Sequence, residues 1–470
     1  MARGASTLRL HGDSTSDNAN TDSSANSAAS LTKTHSKELT ASGEAASVSE
    51  DGGNDVYLEH AVKRTGSWVG AVFNVMCIGV GTGVMNLPSV VKRSGWFGIF
   101  LFVLMAVIGW YVGVLFRRAM YARPGRRISS FALVTREAFG APGYWFATAI
   151  TYVYCCGTVV SWIIVSGTQI TRLLGFAGAH LDKKISMTII AVVMWIPFTL
   201  LKTLKEITIS SVFGVLTAMF SVVVFAVTTI RHKYTDTYHS PDFDSAPSHK
   251  FIIGEGIPSA LASISFMYAG AVAFPHLEGN MRKPHQFGWM LLLSNALVCG
   301  AYLLSAVPGY YAFGDQTVSP ILGNLPNLPI VNAATIIIII HVIFAAPVML
   351  VSANLELELA FGVMPGIIGK RREFVLRVIM RTVTMGILLA ISIAIPYFGE
   401  VIDLMSAIST TVVFFMVPVF CYVKLFGWRT IPKYELLLCA LLAAVGGVAC
   451  VWGFIDAVKA LKKAVENDHR

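Results

Sequence analysis

Apolar and polar positions alternate in this chain on the scale of whole helices. From about residue 68 to residue 457, long apolar runs are separated by short charged or polar breaks. Many of these runs approach or exceed the roughly 20 residues an α-helix needs to cross a bilayer. Eleven spans are expected, near 68–90, 96–119, 143–172, 185–201, 207–230, 257–279, 286–312, 328–352, 374–396, 400–423 and 434–457. The first and sixth have the weakest hydropathy, and the third is long enough to tilt strongly. Residues 1–62 are rich in Ser, Ala, Thr, Asn and Asp, with few large apolar side chains. They cannot bury enough surface to fold and are expected to be a disordered tail. The pattern therefore predicts an all-α integral membrane protein: an N-terminal tail (1–62), a transmembrane domain (63–457) and a short C-terminal tail (458–470). Within that last stretch, Ile455 to Val465 has the spacing of a short amphipathic helix on the outer surface.

Two spans are interrupted in the same way. The first contains Gly83-Val-Met-Asn-Leu-Pro88, preceded by Gly79-Val-Gly81-Thr82. The sixth contains Gly270-Ala-Val-Ala-Phe-Pro275, preceded by Met267-Tyr268-Ala. Glycine and proline both disfavour a continuous helix. A broken helix inside a membrane is tolerated only where the freed backbone meets protein or a water-filled cavity. A matching pair of interrupted spans marks the binding site of a transporter.

Charge gives the pair a direction. Residues 1–60 hold nine acids and four bases, so the excess of the net +9 lies in the loops. With the N-terminus on the cytoplasmic side, inner segments carry twenty Lys and Arg and outer segments twelve. That bias favours a cytoplasmic N-terminus. Helix one then enters from inside and helix six from outside, so the two motifs run antiparallel. Helices one to five and six to ten become two inverted halves, a five-plus-five (LeuT-like) repeat with broken helices one and six, and helix eleven an addition. The first sixty or so residues are polar, so no secretory signal peptide is expected and the first span would act as the insertion signal.

The breaks suggest a chemistry. A half-helix that starts at Thr82–Gly83 offers free N–H groups, which attract an anion. Gly79, Gly81, Thr82, Gly83 and Val84 would cradle a carboxylate, while carbonyls at the end of the inner half-helix and near Met267, Tyr268 and Gly270 would suit an ammonium group. An α-amino acid carries both groups. In helix three, Tyr154, Cys156, Thr158 and Ser161 lie near mid-depth, either as pocket residues or as polar packing. Intramembrane ionisable groups are few, and each is a candidate for gating or coupling. Glu400 and Asp403 either close an outer gate against Lys92 or Arg93 or mark a hydrated helix end. His276 and Glu278 follow Pro275 and fit an inner gate or the cytoplasmic interface. His341 fits a proton carrier or a satisfied core histidine.

Composition excludes several classes. The seven cysteines all fall in apolar segments without CxxC spacing, which argues against zinc or disulfides and for small core residues. No metal or cofactor is called for. No HExxH, GxSxG or Walker-type motif is present, so an enzyme is not expected. Nor is there a soluble basic domain for nucleic acid.

At Gly79-Val-Gly-Thr-Gly-Val-Met-Asn-Leu-Pro88, Phe274-Pro-His-Leu-Glu-Gly-Asn-Met-Arg-Lys-Pro284 and Tyr311-Ala-Phe-Gly-Asp-Gln316 with Asn324-Leu-Pro326, the chain resembles the amino acid/auxin permease family of the amino acid–polyamine–organocation superfamily. The Ser-rich tail and the texture of helix three are similar to amino acid permeases of trypanosomatid parasites. The resemblance covers about residues 65–457. It implies an eleven-helix transporter that moves amino acids across the plasma membrane or an organelle membrane, with substrate contacts from helices one, three, six and eight. In sodium-coupled members of this fold, helix eight supplies Ser or Thr hydroxyls. Here its middle reads Ile-Ile-Ile-His341-Val-Ile-Phe-Ala-Ala-Pro347, which points to proton coupling or facilitated transport. The expected function is secondary active transport of a neutral or cationic (arginine or lysine) amino acid by alternating access. The alternative is an amino acid sensor on the same fold. Expected partners are the amino acid, protons and membrane lipid.

Overall fold

The computed structural model describes residues 64, 66–125, 127–200, 207–234, 247–268, 270–361, 363 and 368–468. The tail expected over 1–62 lies outside the described residues, as do Lys63, Arg126, Lys202 and Lys205 of the expected inner loops.

Span one comprises α1 (Trp68–Gly79), a 3-10 turn over Thr82–Asn86, and α2 (Leu87–Ser94). Ser67 starts α1 by accepting from the Gly70 N–H. Then come α3 (Phe97–Met120), α4 (Phe131–Phe176), α5 (Lys183–Leu200) and α6 (Ile207–Tyr234). Span six comprises α7 (Ile257–Met267), a 3-10 turn over Gly270–Ala273, and α8 (Phe274–Asn280). It is followed by α9 (Phe287–Phe313), α10 (Pro329–Ala360) and α11 (Lys370–Ala394). Span ten divides into α12 (Phe398–Met405) and α13 (Val417–Phe426), and α14 (Lys433–Asp468) closes the chain. Ten helices among the described residues are long and apolar enough to cross a membrane; the bent pair in span one makes eleven if counted as one. Among the described residues the one β pairing is an isolated bridge between Gly66 and Met281.

The outer surface of this bundle is apolar. Phe100, Val107, Trp289, Phe344 and Leu437 are all more than half exposed, as lipid-facing side chains must be. Inside, α9 packs against α1, α2, α3 and α6 and so supports span one along its length.

Three elements differ from the expectation. α4 is 46 residues long and begins at Phe131, not near 143, and it bends at Gly140 (φ 72°, ψ −158°) just before Pro142. Glycine alone adopts that backbone without strain, and proline in the next turn restarts a helix. Hydropathy alone starts the span only at about 143, after Gly140 and Pro142. Span ten is not one α-helix: two π turns, Ser406–Thr410 and Val412–Met416, interrupt it. Ser406, Ser409, Thr410 and Thr411 each donate to the carbonyl four residues back, which competes with the helix ladder. Finally, α14 runs without interruption to Asp468, so the stretch Ile455 to Val465, expected as a short amphipathic helix, is part of it. No Gly or Pro lies between Phe454 and Asp468 to stop it.

Candidate functional site

The two interruptions are built from the same parts in the same order. α1 ends at Gly79, Gly81 N–H donates to Gly79 O at 3.2 Å, a 3-10 turn follows, and α2 begins with Pro88 in its first turn. α7 ends at Met267, Gly270 N–H donates to Tyr268 O at 2.7 Å, a 3-10 turn follows, and α8 begins with Pro275 in its first turn. Span one is bent by 44° at its break.

The two spans run antiparallel side by side. At one end Gly66 N–H donates to Asn280 O at 2.8 Å, and Arg282 N–H donates to Gly66 O at 2.9 Å. At the centre the Met267 side chain lies over Gly83, where a Cβ would stand 2.4 Å from its sulfur. At the other end Arg93 donates to Ser263 Oγ at 3.1 Å. The first bond of the 3-10 turn is Val84 N–H to Gly81 O, so the amides of Thr82 and Gly83 precede the ladder. The Thr82 hydroxyl is buried and has no hydrogen-bond partner.

The carbonyl side departs from the expectation. Gly79 O and Met267 O are not free for an ammonium group: both accept from the Tyr302 hydroxyl of α9, at 2.9 and 2.7 Å. Ser305, one turn further along α9, donates to Val84 O at 3.0 Å. The sequence reading missed both residues. Their signal was a polar pair spaced i, i+3 on one face of a mainly apolar helix that also holds Ser294 and Asn295.

On α4, Tyr154 meets Phe266 edge to face with centroids 5.9 Å apart, and Thr158 and Ser161 share its face. Their hydroxyls donate to the carbonyls of Tyr154 and Thr158. Cys156 does not join them. Two residues of helix turn it about 200° away, onto the side of Tyr152, which bonds to Thr384 of α11. His341 of α10 is buried, and it and Cys77 of α1 both press on Gly214 of α6, each 2.9 Å from where a Cβ would be.

Charge pairs stand at both ends. Arg93 gives two bonds to Asp403, at 2.5 and 3.0 Å, and Ser263 donates to the same carboxylate at 2.6 Å. This ties spans one, six and ten. Lys92 instead donates to Thr317 O at 3.0 Å, and Glu400 lies half-buried one turn before Asp403. At the opposite end Glu278 is fully buried, accepting from Arg127 Nε and from the Tyr121 hydroxyl, both at 2.5 Å. Arg127 also donates to Pro275 O. His276 is exposed.

The family described as "Transmembrane amino acid transporter protein" has a sequence model that matches residues 64–459, through both interruptions and both charge pairs. The chain belongs to this family. It is a multi-pass membrane transporter protein rather than an enzyme. Curated relatives include the Arabidopsis thaliana amino acid transporter AVT1B, 25% identical over 84% of this chain and 70% of its own length. Amino acid transporter AVT1I of the same plant is 26% identical over 76% of this chain and 85% of its own. The human vesicular inhibitory amino acid transporter is 24% identical over 89% and 80%. Solved structures similar to this transporter include a Na+-coupled sialic acid symporter (15% identity, 84% of this chain and 90% of that chain, TM-score 0.48). Another is the manganese transporter of Eremococcus coleocola (12%, 90% and 99%, TM-score 0.43). Of the residues expected at the transporter's site, Gly79, Gly81, Thr82, Gly83, Val84, Met267, Tyr268, Gly270, Tyr154 and Thr158 lie on the two breaks or on the helix face beside them. Cys156 lies elsewhere. Asp403 and Glu278 mark the two ends.

Proposed function

We propose that the chain is a secondary active amino acid transporter that works by alternating access, with its substrate site between the two interrupted spans. The observation that carries this reading is the matched, antiparallel pair of breaks, each of the order helix, 3-10 turn, Pro-started helix. Such a pair belongs to a five-plus-five inverted repeat over the transmembrane domain, residues 63–457. The substrate carboxylate would meet the amides of Thr82 and Gly83 and the unpartnered Thr82 hydroxyl. The Arg93–Asp403–Ser263 cluster would gate the outer side, and Arg127–Glu278–Tyr121 the inner side. Each joins elements that must part when its side opens. The substrate is a neutral or cationic amino acid, and coupling is to protons, with His341 as carrier, or absent. The excess of Lys and Arg on one side favours a cytoplasmic N-terminus. The plasma membrane and an organelle membrane both fit; the name of the human relative, a vesicular transporter, supports the second.

The deciding experiment is uptake by liposomes holding the purified protein, competed with each common amino acid at two pH values and with sodium replaced by choline. One amino acid or one side-chain class should compete. Tight binding with no flux would refute transport and favour the sensor. Fluorescent tagging in cells distinguishes the two membranes, and protease access to an N-terminal epitope checks orientation.

A further inference from the structure

Two helices end at one hydroxyl group. The carbonyls of Gly79, last in α1, and of Met267, last in α7, both accept from Tyr302 Oη. A helix C-terminus carries roughly half a negative charge on its unsatisfied carbonyls. Two such ends directed at one point repel each other unless a cation or a proton donor stands between them, and a membrane interior offers no bulk water for the purpose. Tyr302 is fully buried, with Tyr268 at 5.2 Å and Phe102 at 6.3 Å between ring centroids, so the ring is held in place. Gly79 has no side chain where a Cβ would stand 3.2 Å from the hydroxyl, which permits the close approach.

We infer, resting on the transporter reading above, that the Tyr302 phenol takes the place of a bound alkali cation between the two interrupted spans. A phenol has one proton for two acceptors. Either carbonyl can leave while the other stays bonded, which suits segments that separate and rejoin in each transport cycle. Ser305 holds the same helix to Val84 on the far side of the first break. Tyr302 is therefore a positioning residue: it acts through the backbone of Gly79 and Met267, and its proton does the work for which an ion would otherwise be needed.

The test compares full-length wild type, Tyr302→Phe and Gly79→Ala, melted in sodium, lithium or choline chloride and assayed for uptake in the same salts. Wild type is expected to melt at one temperature in all three salts and to transport without sodium. Tyr302→Phe leaves Met267 O without its phenol donor and Gly79 O with only the Gly81 N–H at 3.2 Å, so the two carbonyls face each other as an oxygen site for a hard cation. It should lose about tenfold or more of its uptake in choline, melt at a lower temperature, and recover part of both in sodium or lithium by mass action. Gly79→Ala keeps the phenol but displaces it from the carbonyl, and should show the same cation response in weaker form; it decides the matter if Tyr302→Phe does not purify as a single species. A wild type that is stabilised by sodium or needs it for uptake overturns the proposal, and so do variants indifferent to sodium and lithium. A wild type with no flux in any salt overturns transport instead, while the melting comparison still decides the role of Tyr302.

Discussion

Glycine at position 83 is set by a neighbour, because the Met267 sulfur occupies the place of its Cβ. Methionine is flexible, so Gly83→Ala should be tolerated with a modest loss of uptake. Gly83→Leu should abolish binding and uptake while surface expression persists, which surface biotinylation beside radiolabelled uptake will check; normal uptake would refute the carboxylate cradle. Thr82→Val removes the unpartnered buried hydroxyl. If that group meets a carboxylate, the loss is about 1.5–3 kcal/mol of binding, read as a rise in KM of about tenfold or more with an unchanged melting temperature. The glycine and threonine cluster was legible in the sequence because a run of helix-breaking residues inside an apolar span has few other meanings. Tyr302 was not legible. Its partners Gly79 and Met267 are 223 and 35 positions away, and a mid-span Tyr–Ser pair reads as ordinary packing until those carbonyls are placed. Cys156 differs in another way: two residues of rotation place it on a different face of α4 from Tyr154 and Thr158.

At the scale of elements, the ends of the crossed spans carry the strongest test. Arg93 and Asp403 have side chains 27% and 13% exposed, so the pair is largely desolvated. Removing one partner of a buried pair costs about 3–5 kcal/mol, and partial exposure of Arg93 puts this one at the low end. Arg93→Asp and Asp403→Arg should each cut uptake strongly, and the double exchange should restore a part of it; additive losses would show that the two groups do not act together. Glu278→Ala leaves Arg127 facing a buried vacancy and should destabilise the fold by about 3–5 kcal/mol, measured as a lower melting temperature in detergent. Sequence named Asp403 and Glu278 because charge inside a span is rare. It did not find Arg127, which lies in a loop where bases are common, nor the π turns of span ten, whose hydroxyls read as ordinary helix residues until their bonds back to the preceding turn are seen.

For the whole molecule, the all-helical membrane class was legible from the pattern of apolar runs, since a bilayer fixes the length a helix must have. Helix ends were less so, because Gly140 and Pro142 shape a bend within a helix with the same residues that elsewhere make a loop. Net flux is the property that belongs to this scale. Uptake is expected to persist when choline replaces sodium and to fall when a protonophore collapses an imposed pH gradient; in that case His341→Gln should remove the gradient dependence while leaving exchange between preloaded amino acids intact. Flux insensitive to the protonophore would place the protein among facilitators. The last helix has a practical consequence. At 36 residues, α14 is about 54 Å long against a hydrocarbon core of about 30 Å. Its last turns, where Lys459, Lys462 and Glu466 are exposed, exceed the length that a perpendicular span needs. A reporter joined to the end of that helix in continuous helical phase would turn with the membrane domain instead of hanging on a tether. Its orientation would then become a gauge of how the bundle tilts as substrate crosses.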